Sequence, residues 1–129
     1  AVFTGDTLFS LGCGRLFEGD AADMQKSMTK LKSLPEQTLV FCGHEYTQSN
    51  AKFALAVDPA NQDLIQRNEE IAELREASQP TIPTTIGLEM RTNPFLRTDD
   101  ASLRDSIGMG SSNSDTEVLG KLRAMKDSF

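Results

Sequence analysis

The chain has 129 residues, 38% hydrophobic and 25% charged, the balance of a single soluble domain long enough to bury a core without staples. Thirteen Lys and Arg stand against nineteen Asp and Glu, a formal net charge of -6. That total excludes a general binder of nucleic acid or anionic membrane, which needs basic excess, but leaves room for a local patch that holds one small anion.

The first residues, "AVFT", form a short apolar run closed by Gly5 and Asp6, which predicts a buried strand. Residues 10–19 carry Gly12, Gly14 and Gly19 and are expected to be loop. In "DAADMQKSMTKLKSL", Asp20 stands as N-cap, and Met24, Met28, Leu31 and Leu34 recur at helical spacing until Pro35 ends the helix. "TLVFC" (38–42) predicts a second buried strand, released by Gly43 into "HEYT". A helix through "SNAKFALAV" follows, ending near Pro59. This alternation makes an α/β layer arrangement the expected fold class. Beyond it, "NQDLIQRNEEIAELREAS" predicts an amphipathic helix with Leu64, Ile65, Ile71 and Leu74 on its apolar face. "TTIGLEMRTNPFLRT" is expected to be extended and irregular, and 108–115 a small-residue linker. The last helix should turn Val118, Leu119, Leu122 and Met125 inward. The α/β part gives way to a helical part around Asp58 to Gln62.

Chemistry-bearing residues gather at the carboxyl ends of the two strands, where open α/β sheets form their sites. Asp6 follows the first strand; His44, Glu45 and Tyr46 follow the second. Asp6 and His44 read as two metal ligands or an acid–base pair, although a strand-ending Asp is more often a turn or cap residue and a lone His more often structural. The chain holds one histidine, whereas a catalytic zinc uses about three protein ligands, usually several of them His. A closed metal site therefore does not follow from composition. Cys42 shares a strand face with His44, but the apolar "VFCG" setting raises a thiol pKa and argues against a Cys–His hydrolase. Cys13, between two glycines, is expected to be more exposed, with no base oriented toward it. The two thiols suit a reducing compartment, no apolar run reaches the roughly 20 residues of a membrane span, and no signal peptide is visible. A cytoplasmic setting is the expectation. Finally, Arg123 and Lys126 lie one helical turn apart and, with Arg15, could hold a carboxylate; alternatively they complement the dipole of a solvated helix end.

"FTGDTLFSLGCGRLFEG", "CGHEYTQSNAKFA", "TNPFLRT" and "LRAMKDSF" occur in this order. Together they closely resemble the C-terminal half of the glyoxalase II (hydroxyacylglutathione hydrolase) family. The resemblance runs from residue 1 to 129 and is weakest over 98–115. It implies part of a metallo-β-lactamase-type αββα sandwich followed by a helical domain. It also implies hydrolysis of S-D-lactoylglutathione to D-lactate and glutathione by a hydroxide held on two divalent metals: zinc, with iron or manganese as alternatives. On this resemblance Asp6 is the ligand shared by both metals and His44 a ligand of one. Tyr46 contacts glutathione, Arg15 occupies a basic loop position, and Arg123 with Lys126 holds the glycine carboxylate. Phe17 stands where family members carry a tyrosine, which puts one substrate hydrogen bond in question. The family's "THxHxDH" motif, and a further histidine before the "GDTLF" strand, do not occur in this chain.

The resulting expectation divides the chain into 1–58, the C-terminal portion of a metallo-β-lactamase-type domain, and 59–129, a helical glutathione-binding domain. "AVFTGD" then reads as an inner strand of a sandwich whose first half lies upstream. The 129-residue chain is expected to be a monomer, or to need that missing half, and to bind metal and turn over substrate poorly on its own. Two rivals remain. One is a non-catalytic module that binds glutathione-like anions or a partner. The other is a different metallo-β-lactamase-fold hydrolase or a persulfide dioxygenase, against which the helical tail ending in "RAMKDSF" argues.

Overall fold

A computed structural model of the chain describes residues 1–14 and 20–129. The opening apolar run forms strand β1 (Val2–Gly5). At the start of the stretch expected to be loop (10–19), a tight hairpin appears instead: β2 (Leu8–Phe9), just before it, pairs antiparallel with β3 (Gly12–Cys13) around Ser10 and Leu11. Glycines marked this stretch as turn-rich, yet backbone pairing across two residues leaves too short a pattern to register as strand. Asp20 caps helix α1 (Ala21–Lys32) as expected, its side chain accepting from the Asp23 N–H while Asp23 reaches back. Strand β4 (Leu39–Cys42) and helix α2 (Thr47–Val57) follow.

Helix α3 (Gln62–Glu76) buries Leu64, Arg67 and Ile71, while Ile65 and Leu74 are only half-buried. Its inner face is therefore rotated from the expected apolar stripe, because the buried Arg67 donates to the Thr81 carbonyl at 3.2 Å and belongs to the interior. The stretch expected to be extended holds more regular structure: β5 (Thr84–Thr85), α4 (Ile86–Thr92), and a 3-10 turn at Pro94–Leu96. Thr85 caps α4 by accepting from the Leu88 N–H, and Asn93 caps the turn by accepting from Phe95. Helix α5 (Ala101–Ser106) precedes α6 (Asp115–Asp127), whose capping box is Ser114 with Glu117. Val118, Leu119 and Leu122 of α6 are buried, and Met125 packs half-buried against the same core.

The mixed α/β class holds. Strands β1, β4 and β5 form one sheet in the order β1-β4-β5, with β1 and β4 parallel and β5 antiparallel to β4. Parallel pairing requires a crossover, which α1 supplies. The main core joins Leu8, Met28, Val40 and Phe53 to Phe95, Leu103, Leu119 and Leu122, so both halves of the chain contribute to one apolar interior. Each such side chain contributes about 1.5–3 kcal/mol when fully buried. A smaller cluster of Leu11, Ala51, Ala54, Leu64 and Ile71 packs the hairpin tip against α2 and α3. Among the described residues, no helix is long and apolar enough to cross a membrane.

Candidate functional site

The parallel register decides where the site forms. Phe3 pairs with Phe41 and Gly5 with Cys42, so both chains leave the sheet at the same edge. Asp6 follows one strand and His44 the other, and their side chains meet with Oδ1 and Nε2 3.2 Å apart. Gly43 permits this approach, since a Cβ there would stand 2.8 Å from Asp6 Oδ1. The Asp6 side chain is 74% exposed and that of His44 48%. A polar contact this open contributes about 0–1 kcal/mol, so the fold does not depend on it. The His44 ring stacks on Tyr46 at 4.8 Å and 12°, and Phe9 packs edge-on to Tyr46 at 5.2 Å.

Asp6, His44 and Tyr46 line an open cleft of about 500 Å³, together with Phe9, Ser49, Asn50, Arg123 and Lys126. Five residues singled out in the sequence thus converge on one cleft, from the two strand ends and from α6. Arg15 and Phe17 lie outside the described residues. The two α6 cations differ in setting. Lys126 Nζ sits 5.9 Å from the Phe53 ring and 6.0 Å from that of Phe129. Arg123 is buried: one guanidinium nitrogen donates to the Cys13 carbonyl at 2.7 Å, while Nε and the other terminal nitrogen lie 3.0 and 2.8 Å from Asp127 Oδ1. Its guanidinium also stands 5.7 Å over Phe95. Arg123 is thus part of the packing as well as of the cleft wall.

Neither cysteine is placed as an activated nucleophile. Cys13 is 5% exposed, contrary to the expectation of an exposed loop thiol, because the hairpin tucks it under Arg123. Burial pushes its thiol up to about 11, despite the lowering influence of Arg123. Burial likewise raises Cys42, whose Sγ faces the His44 carbonyl at 3.5 Å rather than the imidazole.

A metal is the other chemistry to test. A carboxylate oxygen and an imidazole nitrogen facing each other are two suitable donors. Among the described residues, no group of three or more His, Cys, Asp and Glu side chains could hold a metal ion. The pair fits two positions of a coordination sphere, not a closed site.

Polar residues that sequence reasoning missed hold the hairpin that walls the cleft. Glu89 is fully buried, with Oε1 accepting from the Leu11 N–H at 2.8 Å and Oε2 from the Thr84 hydroxyl at 3.0 Å. Asn93 donates to the carbonyls of Phe9 and Gly12, and Asn50 to that of Ser10. Leu11 takes φ of 61°, a conformation that costs a residue with a Cβ about 1–2 kcal/mol and persists because Glu89 anchors its N–H. Burial raises the Glu89 carboxyl above the ordinary range, against the opposing hydrogen bonds and Arg67. The signal was present: Glu89 is the one charge in the run 77–90. Glu45, next to His44, is held below the ordinary carboxylate range; burial alone would raise it, but donors from Thr81 and Thr47 outweigh that.

The family described as "Hydroxyacylglutathione hydrolase C-terminus" matches residues 45–129. A hydroxyacylglutathione hydrolase of Brucella anthropi is 56% identical over 129 residues, covering 100% of this chain and 49% of that protein. Proteins of the same name from Bartonella tribocorum and Rhodospirillum rubrum are each 54% identical, over 99% and 100% of this chain and 50% of their own length. The chain spans about half the length of the curated relatives it matches. With the family matched over most of its length, the chain belongs to the hydroxyacylglutathione hydrolase C-terminus family.

Proposed function

We propose that this chain forms part of the active site and the glutathione-holding part of a hydroxyacylglutathione hydrolase, which hydrolyses S-D-lactoylglutathione to D-lactate and glutathione. The observation that carries the reading is the single cleft onto which Asp6, His44, Tyr46, Arg123 and Lys126 converge. Residues 1–58 supply the strand ends and their donors, and 59–129 supply the α6 cations. Lys126 and Arg123 attract the carboxylate of the glutathione moiety, where a charge-assisted hydrogen bond contributes about 1.5–3 kcal/mol. The half-exposed Tyr46 offers its hydroxyl to the peptide, and its ring is set by His44. Asp6 Oδ1 and His44 Nε2 are two donors for a divalent ion, zinc first, with iron or manganese as alternatives. Such an ion, when bound, activates water and polarises a thioester carbonyl at neutral pH.

Two donors among the described residues are fewer than a catalytic ion needs, which favours a second reading of the chain by itself as a glutathione-binding module without turnover. The test titrates the purified 129-residue chain with glutathione by calorimetry and follows S-D-lactoylglutathione hydrolysis with added zinc. Glutathione binding with weak zinc uptake and little turnover is expected. Robust turnover would overturn the two-donor account, and no glutathione binding at millimolar concentration would overturn the substrate assignment.

A further inference from the structure

The loop that carries His44 and Tyr46 has no cap of its own. Tyr46 occupies the N-cap position of α2, yet its side chain makes no capping hydrogen bond and lies instead on the cleft against His44. What holds the loop is the residue between them. Glu45 Oε1 accepts from the Thr81 backbone N–H at 2.5 Å, and the Thr81 hydroxyl lies 2.7 and 2.6 Å from the two Glu45 oxygens. The hydroxyls of Thr81 and Thr47 are 2.6 Å apart, and both threonines are buried. The Thr81 carbonyl in turn accepts from the buried Arg67 of α3. Thr81 lies in the connection between α3 and β5, 36 residues from Glu45, and neither Glu45 nor Thr81 lines the cleft.

We propose that Glu45 and Thr81 form a latch that positions His44 and Tyr46, so that the α3–β5 connection sets the geometry of the cleft from outside it. The mechanism is steric and local. Three consecutive residues carry ring, carboxylate, ring, and the two rings stack on the cleft side while the middle carboxylate is bonded away from it. Pinning that carboxylate through a backbone N–H and a buried hydroxyl fixes the twist of the loop, and both rings follow. Ordinary capping of α2 would require only one of these bonds and would not reach across to Thr81. The relevance to catalysis rests on the function proposed above; the latch itself does not.

The chain supplies its own probes, since it contains one histidine, one tyrosine and no tryptophan. Thr81→Val removes the hydroxyl at nearly constant volume, Thr81→Ser keeps it, and Glu45→Gln weakens the acceptor. Each is examined by NMR of the His44 and Tyr46 rings, by denaturation, and by glutathione titration. Thr81→Val and Glu45→Gln are expected to shift the His44 ring resonances, to weaken ring-to-ring cross-relaxation with Tyr46, and to lower glutathione affinity by about threefold or more. Thr81→Ser is expected to restore all three. If Thr81→Val and Glu45→Gln lower stability while the ring signals and affinity stay at wild-type values, the residues are merely structural and the proposal fails. If the ring signals respond as expected but no protein in the series binds glutathione, the latch stands and the substrate assignment falls.

Discussion

Replacing Gly14 with alanine puts the construction of the cleft under direct strain. A Cβ at Gly14 would stand 1.9 Å from the backbone oxygen of Asp6 and 3.2 Å from its carbonyl carbon. Ordinary van der Waals contact begins near 3.4 Å, so the two backbones must part by about 1.5 Å. No rotamer relieves this, because both partners are main chain. The same movement pulls on the Gly14 N–H, which donates to the Thr7 carbonyl at 3.1 Å, and on the Cys13 carbonyl that receives Arg123. Overpacking costs about 1–3 kcal/mol, here toward its upper end, and a weakened hydrogen bond adds about 1 kcal/mol. A loss of about 3–4 kcal/mol is therefore expected, a fall in Tm of roughly 10–15 °C for a chain of this size. Urea denaturation followed by circular dichroism measures it, and the Tyr46 and His44 signals should shift because Asp6 moves. Gly110→Ala is the control, since a Cβ there meets nothing within 4 Å. If Gly14→Ala costs no more than Gly110→Ala, the close approach of β3 to Asp6 is not what shapes the cleft.

Glu89→Gln tests the buried carboxylate. A carboxyl raised by burial holds its proton more tightly folded than unfolded, so its stability contribution is full below its unfolded pKa of about 4.3 and is lost as pH rises through the higher folded value. Glutamine lacks that slope and still pairs with the Thr84 and Ser10 hydroxyls, which accept as well as donate. Urea titrations from pH 4 to 7.5 should show the variant gaining on wild type as pH rises; a flat or opposite difference refutes the assignment. The α6 cations should separate. Arg123→Met strands the buried Cys13 carbonyl and should cost about 1–3 kcal/mol in denaturation, whereas Lys126→Ala should stay within about 1 kcal/mol of wild type yet weaken glutathione binding roughly tenfold. Equal effects of the two on stability would remove the distinction drawn between them.

Some of this was legible because it is local. The Asp20 cap, the Met24–Leu34 periodicity and the inward face of α6 depend on residues three or four apart, and they appear where expected. The strand-end placement of Asp6 and His44 was equally readable from two short apolar runs that each end in glycine. The 84–96 stretch misled because its Thr85 and Asn93 caps govern elements too short to show a period. Cys13 misled because neighbouring glycines suggested exposure, while α6, 110 residues away, covers it.

By itself the sequence determined the α/β class, the positions of the longer helices, and a set of chemically competent residues, since each of these follows from propensity, capping and periodicity within a few residues. Only the tertiary structure decided that Asp6 and His44 face each other, because that depends on the parallel pairing of strand residues 37 or 38 positions apart. It also decided that Arg123 is built into the wall, that Glu89 is a buried anchor and that the exposed Glu45 is tied to Thr81. Each of those side chains is tied to at least one distant backbone group, the Cys13 carbonyl for Arg123, the Thr81 N–H for Glu45 and the Leu11 N–H for Glu89, and such groups, which every residue carries, are revealed by no pattern of residue types.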